Sequence, residues 1–419
     1  MAGTRTLLAL FGIALAAMPG GAAAQTARES ASKPPSPLKE PDFPPIVFFI
    51  AKGEDDACGP GCNEWIAADG KIDREAGQRF RAFLDQTKRK LPVYFHSPGG
   101  SANAATEIGR IMRHRAMTAS VARTIPQGCD PGKERESACD AIKRSGGDLP
   151  AELRTVRTLC ASACVFALIG ATVREVTAGA RIGVHAGALR VSDEEGAAIK
   201  SARHGTLTST DREALKRAHA ALAGYAVSMG IDRGLADAAA AVSHERIRYI
   251  SRDEIARFGI DKREFHESKW TVDEGPPGPL VVVKFVTERR GESDAKRHRS
   301  AKIELACTRS KDIRVTYSRE LIETDRPVSI AVSGKGGDFV LPPPQGKPIL
   351  GYNYIEMEDR YARVPISFFE DAAAGEVIEF TEAPDVAALD KPSRRTRLST
   401  AGLKHAIGVL AQRCSERAR

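Results

Sequence analysis

The chain has 419 residues, of which 42 % are hydrophobic, and a formal net charge of +8 at pH 7. It can therefore bury a core, and its length indicates two domains. The basic clusters have no interleaved aromatic residues and no nucleic-acid-binding signature, which argues against a nucleic acid partner and predicts solvated surface at Arg289 and Arg290, at 296–299, and at Arg394 and Arg395.

Residues 1–24 have the pattern of a secretory signal peptide. Arg5 provides a positive start, an apolar run follows at 7–18, and small residues at 22–24 precede the cleavage point. The run is short for a membrane span, no later stretch could cross a bilayer, and an uncleaved anchor is the alternative. We therefore expect an exported protein, periplasmic or secreted, with no membrane span after signal cleavage. Residues 25–45, rich in Pro, Ser and Lys, predict a flexible tether.

Export also determines how the eight cysteines are interpreted. In an oxidising compartment an even number favours disulfides over metal thiolates. The first two cysteines lack a second ligand pair at zinc-finger spacing, so we expect no metal site. Proximity alone predicts four bonds: Cys58–Cys62, Cys129–Cys139, Cys160–Cys164 and, for the remaining two, Cys307–Cys414. A pairing of Cys160 or Cys164 with Cys129 or Cys139 stays open.

Residues 46–268 alternate short strands and helices, which predicts a first domain built on a parallel α/β sheet. The apolar run 46–50 predicts a strand that is buried on both faces. A later strand at 92–95 runs into the sequence HSPGGS, and Ser101 is placed to cap the helix whose apolar stripe covers 104–112. This order puts a glycine-rich loop at the carboxyl end of a strand, where α/β proteins bind their ligands.

The remainder of this domain starts with an interruption. The segment 125–150 is polar and carries two cysteines, so it predicts an inserted surface loop. Beyond it the pattern predicts a buried helix at 165–169, strands at 173–176 and 181–184, and two helices begun by capping boxes, one of Thr210 with Glu213 and one of Ser251 with Glu254.

Three features of this domain could serve one reaction. Ser162 lies at a predicted strand-to-helix turn, where small neighbours allow a tight bend and the helix N-terminus favours an anion. The glycines of HSPGGS leave backbone N–H groups open to close approach. His185 ends a strand and could be the base that a serine hydroxyl needs. Each feature alone is more often structural, but their order favours a hydrolase.

These segments resemble, in the same order, the Clp protease proteolytic subunit and, more broadly, the Clp protease/crotonase fold. YFHSPGGSANAATEIGRIMR is similar to the family's oxyanion strand and helix, RIGVH to the strand that delivers its histidine, and HERIRYISRDEIARFGID to the segment that ends the core. The resemblance covers roughly residues 45–262 and implies a spiral of short strands and helices. It also implies that Ser162 is the nucleophile, that His185 is the base, and that Gly99 and Gly100 form the oxyanion hole with the N–H of Ala163.

The C-x-S-x-C turn around Ser162 is also similar to that of exported α-proteobacterial proteins of uncharacterised activity. That likeness implies a periplasmic location and indicates no substrate.

The sequence departs from the Clp protease pattern at three places. Ile247 matches the position of the family's third catalytic member, an aspartate, and an isoleucine cannot orient an imidazole. Glu245, two residues upstream, is a candidate third member, but we favour a Ser–His dyad held by a backbone carbonyl or a water. Cys160 and Cys164 occupy the places of the elbow glycines of hydrolases, so a bond between them would rigidify the turn. The insertion at 125–150 argues against the family's stacked rings.

Residues 269–279, which contain DEGPPGP, predict a linker to a second domain at 280–419. We expect a mostly-β module that ends in a helix capped by Thr400, with strands at 280–286, 301–307, 313–318, 328–332 and 377–380. This module contains no catalytic set, so a role in binding or assembly and a purely structural role are equally open.

The sequence therefore favours an exported, peptidase-like serine hydrolase that acts on a peptide or protein without a cofactor or metal. The alternative is a catalytically inactive binding or scaffold protein that keeps the fold, and Ile247 is its best argument. A crotonase-type acyl-CoA enzyme is disfavoured, because coenzyme A is not expected outside the cytoplasm. The resemblance implies an oligomer, whose size the sequence does not reveal.

Overall fold

The computed structural model describes residues 43–130, 132–193, 196–200, 207–273, 280–290, 297–308, 312–321, 328–344, 347–350, 356–392 and 394–417. The predicted signal peptide and the predicted tether up to residue 42 lie outside these ranges. Phe43 is buried, and its ring centroid lies 5.5 Å from that of His96. The end of the predicted tether therefore packs on the fold.

The first region, residues 43–262, contains short strands and helices in alternation. Its strands are β1 Val47–Lys52, β2 Glu64–Asp69, β3 Val93–His96, β4 Thr118–Val121, β5 Arg123–Pro126, β6 Asp148–Arg154, β7 Leu159–Ala161, β8 Val173–Glu175, β9 Arg181–Val184, β10 Leu189–Asp193, β11 Gly196–Lys200 and β12 Arg248–Tyr249. Its helices are α1 Ala76–Thr87, α2 Ala102–His114, α3 Ser137–Arg144, α4 Ala163–Leu168, α5 Ser209–Ser228, α6 Gly234–Ala240 and α7 Arg252–Arg257.

The central sheet has the strand order β5-β6-β1-β2-β3-β4-β8. Strands β2, β3, β4 and β8 are parallel to one another, whereas β1 pairs with β2 and β5 with β6 in antiparallel fashion. A smaller sheet, β12-β9-β7, continues from the end of this parallel run, and β10 pairs with β11 in a hairpin. The described chain is of mixed α/β class.

Apolar side chains cover both faces of the central sheet, which explains the continuous apolar runs of its strands. One face packs on α1, α2 and α4 through side chains such as Phe80, Ile108 and Phe166. The other face holds a smaller cluster around Trp65 and Phe49. Helix α2 begins as predicted, with the Ser101 side chain accepting a hydrogen bond from the Ala104 N–H.

The segment 125–150 is not a simple surface loop. It forms the end of β5, all of α3 and the start of β6, and β5 and β6 extend the central sheet beyond β1. Its polar composition hid this structure, because α3 buries only Cys139 and Lys143 and the rest of the helix faces outward. The predicted capping box is also displaced: Thr208 and Asp211 form it, two residues before the predicted pair.

The second region, residues 263–417, is mostly β-structure with its own apolar core. Its strands are β13 Phe265–Glu267, β14 Thr271–Asp273, β15 Val281–Arg290, β16 Arg297–Cys307, β17 Asp312–Glu320, β18 Ser329–Gly334, β19 Gly337–Leu341, β20 Ile349–Leu350, β21 Glu356–Pro365, β22 Val377–Ala383 and β23 Arg394–Ser399. Its helices are α8 Ile366–Ala372, α9 Leu403–Arg417 and a short 3-10 turn, Val386–Ala388.

These strands form two antiparallel sheets, β13-β15-β16-β17-β21-β20 and β19-β18-β22-β23. Strands β13 and β14 both pair with β15, so part of the predicted linker and the tail of the predicted first domain are built into this region. The Thr400 hydroxyl donates to Gly375 O at 2.6 Å and does not cap the last helix.

All eight cysteines lie in pairs at bonding distance, and the pairs are those expected from proximity: Cys58–Cys62, Cys129–Cys139, Cys160–Cys164 and Cys307–Cys414. Four such pairs are consistent with an extracellular protein. Among the described residues, no helix combines the length and the apolar composition that a bilayer span requires.

Candidate active site

Ser162 occupies a strained turn between β7 and α4. Its backbone has φ 55° and ψ −124°, a conformation that side chains other than glycine rarely adopt. The Ser162 N–H donates to Gly183 O on β9 at 2.8 Å, and the Ser162 carbonyl accepts from the Val165 N–H at 3.1 Å. The side chain makes no capping hydrogen bond. An ordinary helix cap has extended backbone and such a bond, so Ser162 is not one.

A disulfide brackets this turn. Cys160 and Cys164 are fully buried, with their Cα atoms 5.2 Å apart. Cys160 lies in β7 opposite Ile182 of β9, and Cys164 lies in the first turn of α4. The bond therefore ties the strand before Ser162 to the helix after it, which restricts the bend from both sides.

The glycine turn, residues 97–101, lies directly against Ser162. Ser97 pairs with β7, because its N–H donates to Leu159 O at 2.8 Å and its carbonyl accepts from the Ala161 N–H at 3.0 Å. Gly99 has φ 97°, and a Cβ there would lie 2.7 Å from Ser162 Cβ and 2.8 Å from Ala163 N. Only glycine fits between the turn and the serine.

The backbone donors beside Ser162 differ in their availability. The Gly99 N–H already donates to Ser97 Oγ at 3.1 Å, inside the turn. Within the described residues, no hydrogen bond engages the N–H of Gly100 or of Ala163. Ala163 opens α4, where the first N–H groups lack intrahelical partners. Of the predicted oxyanion donors, Ala163 and Gly100 are therefore open and Gly99 is engaged.

His185 follows β9, the strand that runs parallel to β7. Ala161 pairs with Gly183, so Ser162 and His185 leave neighbouring strands at the same end. Between these two side chains the described structure contains no hydrogen bond. Burial and, to a smaller extent, the charge of His244 lower the pKa of His185 to about 4, against the opposing effects of the His244 backbone and Glu245. The ring is therefore neutral at pH 7 and able to accept a proton.

A second histidine, His244, stacks on the first. The two ring centroids are 4.8 Å apart, with a 38° angle between planes. His244 Nδ1 lies 3.3 Å from Ala186 O, and the Ala186 N–H donates to Val242 O at 2.8 Å. His185 Nδ1 is buried and has no hydrogen-bond partner among the described residues. His244 was missed from the sequence, although it opens the segment in which the third catalytic member was sought.

Among the described residues, no carboxylate accepts a hydrogen bond from His185 Nδ1. Ile247 packs on β9, since a Cβ at Gly183 would lie 2.7 Å from Ile247 Cγ2. Glu245 is exposed, and its charge raises the pKa of His185 less than burial and His244 lower it. Because His185 Nδ1 has no partner in the described part of the chain, Glu245 does not hold the ring there.

Two cavities lie away from this site. One is an open cleft of about 520 Å³ lined by residues that include Lys88, Lys90 and Arg115. The other is a small void of about 10 Å³ between the sheets of the second region, next to Tyr317 and Phe380. Neither supplies a substrate pocket for Ser162. The described residues also contain no cluster of three or more His, Cys, Asp or Glu side chains that could hold a metal ion.

No protein-family model and no curated protein matches this sequence. Among solved structures, ClpP1 from Listeria monocytogenes is similar at 12 % identity and a TM-score of 0.28, over 46 % of this chain and 85 % of that chain. A mutant of the 1510-N membrane-bound stomatin-specific protease, in complex with a substrate peptide, is similar at 14 % identity and a TM-score of 0.26, over 44 % of this chain and 65 % of that chain. Likenesses this distant carry no argument about activity.

Proposed function

We propose that the protein is an exported serine hydrolase, peptidase-like, with a Clp protease/crotonase-like spiral in its first region. One observation carries the proposal. The backbone of Ser162 is strained, its side chain makes no capping hydrogen bond, and the residue lies directly against Gly99 and beside the open N–H of Ala163. Backbone strain of this kind costs about 1–3 kcal/mol and persists mainly where function requires it. A nucleophile elbow needs a serine on a strained strand-to-helix turn with adjacent amide donors, and Ser162 is half-buried in such a turn.

The reaction that fits these groups is acyl transfer from a peptide or ester to Ser162. The hydroxyl oxygen attacks the carbonyl carbon, and its proton passes to His185 Nε2, because the ring is neutral and its Nδ1 is buried. The N–H groups of Ala163 and Gly100 donate to the oxyanion that forms. Gly99 joins them once its N–H turns from Ser97 Oγ.

The tetrahedral intermediate then loses its amine. The C–N bond breaks as His185 returns the proton to the leaving nitrogen, which leaves an acyl ester on Ser162. A water molecule, deprotonated by the same ring, attacks this ester and releases the acid and the serine hydroxyl. Attack requires the Ser162 hydroxyl and the His185 ring to approach within about 3 Å, and we expect substrate binding to bring them together.

The proposed base, His185, forms a dyad with Ser162 and has no carboxylate to orient its ring. Ile247, which the resemblance assigns to the position of the orienting carboxylate, packs on Gly183, and the His244 ring and backbone lie beside His185. Loss of the orienting carboxylate lowers turnover by up to about 10⁴-fold in well-studied serine hydrolases. We therefore expect slow turnover and measurable acylation.

Location and organisation follow the same proposal. The four disulfides support a periplasmic or secreted protein, for which residues 1–24 would be the signal. The second region, which the sequence assigned to 280–419, would serve in substrate binding or assembly as a separate domain. The resemblance to ring-forming proteases would extend to an oligomer of unstated size.

A fluorophosphonate probe tests the proposal on the purified exported chain. The Ser162 oxygen displaces fluoride from phosphorus, so we expect one covalent adduct, located at Ser162 by mass spectrometry. The adduct should be absent in Ser162→Ala and form much more slowly in His185→Ala. Ser145→Ala, which removes an exposed hydroxyl elsewhere, should label like the wild type. A folded wild-type protein that stays unlabelled from pH 6 to 9 would contradict the proposal of a serine hydrolase.

The second candidate function is a binding or scaffold protein that keeps the fold without catalysis. It is favoured by the engaged Gly99 N–H and by the missing hydrogen bond between Ser162 and His185 in the described structure. An unlabelled wild type whose Ser162→Ala variant still binds peptides with unchanged affinity would support it.

A further inference from the structure

A buried ion pair joins the inserted segment to the strand next to the glycine turn. Lys143 of α3 and Asp69 at the end of β2 are only 3 % and 7 % exposed at their side chains. Lys143 Nζ donates to Asp69 Oδ2 at 2.5 Å and to Glu134 O at 2.7 Å. Cys129–Cys139 closes the segment from which Glu134 and α3 come. The insertion thus reaches the core of the first region through the Lys143 ammonium group, beside the Arg123–Glu134 ion pair.

Burying this ion pair costs desolvation free energy, which an apolar contact between α3 and β2 would not. Burial raises the pKa of Asp69, and Lys143 only partly offsets that effect. Replacing a buried pair of this kind by apolar side chains is often neutral or stabilising. What the charged groups add is a directional hydrogen bond, which fixes the position of α3 relative to β2 more narrowly than an apolar contact would.

From Asp69 the backbone leads straight to the glycine turn. Asp69 pairs with His96 in the parallel ladder, and the next residue, Gly70, donates its N–H to His96 O at 3.1 Å. Ile72 then donates to Gly99 O at 2.8 Å and accepts from the Ser101 N–H at 2.7 Å. Residues 70–72 therefore hold one side of the turn, and Ser97 holds the other side through its pairing with β7.

The backbone of residues 70–72 packs tightly against the backbone of the glycine turn. A Cβ at Gly100 would lie 2.1 Å from Ile72 O, so a shift of residues 70–72 must move the turn with it. On its other side the turn touches Ser162 through Gly99. A displacement that begins at Asp69 reaches the proposed oxyanion donors within a few residues.

We infer that Lys143 is a positioning residue for the proposed oxyanion hole. It holds Asp69, Asp69 fixes residues 70–72, and these hold the glycine turn against Ser162. The Cys129–Cys139 bond keeps α3 where Lys143 can act. The inference rests on the proposed hydrolase for its catalytic meaning, but the mechanical link between Lys143 and the glycine turn stands without it.

Hydrogen–deuterium exchange tests the link independently of activity. In Lys143→Met, the amides of Ile72 and Ser101 should exchange about tenfold faster or more, because their hydrogen bonds open locally. Exchange in β16 of the second region should not change. Lys133→Met is the matched control, since Lys133 lies in the same segment but in an exposed pair with Asp130. Unchanged protection of Ile72 and Ser101 in Lys143→Met would overturn the inference.

Fluorophosphonate kinetics test the consequence for the site. A misplaced oxyanion donor acts on the transition state, so Lys143→Met should lower the maximal labelling rate about tenfold or more and leave half-saturation unchanged. The double variant Asp69→Leu/Lys143→Met removes both charges and should regain thermal stability. The inference requires it to stay slow in labelling; recovery of the rate along with stability would reduce Lys143 to a structural role.

The disulfide supplies a further comparison. Cys129→Ala/Cys139→Ala should raise exchange at Ile72 and Ser101, whereas Cys307→Ala/Cys414→Ala should leave it unchanged. An equal response to the two deletions would contradict the inference. If the wild type is not labelled at all, the hydrolase proposal fails, and the exchange data still decide whether Lys143 positions the turn.

Discussion

The first and second regions differ in the backbone strain and in the buried charges that they contain. In the first, Ser162 has a left-handed backbone, Gly99 has no room for a side chain, and His185 Nδ1 is buried without a partner in the described structure. Such costs are rarely kept unless a site requires them. Two of these features lie at the Ser162 turn, and His185 follows the neighbouring strand.

In the second region the charges beneath the sheets are paired. Arg290 contacts both Glu288 and Glu382, and all three side chains are at most 14 % exposed. Arg319 and Arg360 share Glu358 in the same manner. Paired groups of this kind hold strands in register and leave nothing to react. The contrast favours the first region as the place of the proposed reaction.

The largest test of this contrast adds one methyl group to each region. Gly99→Ala should reduce fluorophosphonate labelling about 100-fold or more and destabilise by roughly 2–4 kcal/mol, because the new Cβ meets Ala161 O, Ser162 and Ala163 N. Gly337→Ala is the matched control: its φ is 111°, but nothing lies within 4 Å of a Cβ there. It should cost about 1–2 kcal/mol in denaturant unfolding and leave labelling intact. Equal labelling losses would break the comparison.

A second test removes a charge from the network of the second region. Arg290→Met removes the buried cation that contacts both Glu288 and Glu382, so chemical denaturation should show a loss of about 3 kcal/mol in the free energy of unfolding. Arg395→Met, which removes an exposed cation 3.7 Å from Glu379, should cost less than about 1 kcal/mol. Labelling per folded molecule should stay the same in both. A slower labelling rate in Arg290→Met would show that the two regions are coupled.

The smallest expected effect concerns pH. The labelling rate should be flat near neutrality and fall on the acid side with a midpoint near the His185 pKa of about 4, because only the neutral ring accepts the serine proton. In His244→Phe the midpoint should move up slightly, since burial remains the larger cause and only the charge of His244 is lost. A wild-type midpoint near 6.5 would contradict the burial of His185.

Acid should also lower the stability of the fold, so stability and labelling rate should both fall as the pH falls. The folded pKa of His185 lies below its ordinary value, so the unfolded chain binds the proton more readily. This contribution to stability is complete above about pH 6.5 and is lost as pH falls toward about 4. Circular dichroism at each pH therefore separates loss of the base from loss of the fold.

Much of the site could be predicted from local signals. Ser162, His185 and the glycine turn each follow a strand in the expected order, and short sequence distances suggested three of the four disulfides. The sheet neighbours of these residues were harder to predict, because pairing joins distant segments. Strand β2 was overlooked, although its Asp69 carries the link to the insertion.

The misses have physical reasons. Helix α3 buries two side chains in an otherwise polar segment, so no apolar stripe marks it. Thr208 and Thr210 both precede an acidic residue by three positions, and local sequence does not decide which begins α5. No motif in the sequence links His244 to His185. The two rings meet only because residues 242–244 pack beside the end of β9.

Phe43 sets a practical limit on trimming the chain. Its ring lies against His96, and the guanidinium of Arg135 lies 4.8 Å from the ring centroid, shortly before β1 begins the central sheet. Cleavage of the chain after this point, or a recombinant version that starts beyond it, would remove the aromatic ring that packs on His96 at the end of β3, the strand that leads into the glycine turn. The shortest form worth purifying therefore starts upstream of Phe43.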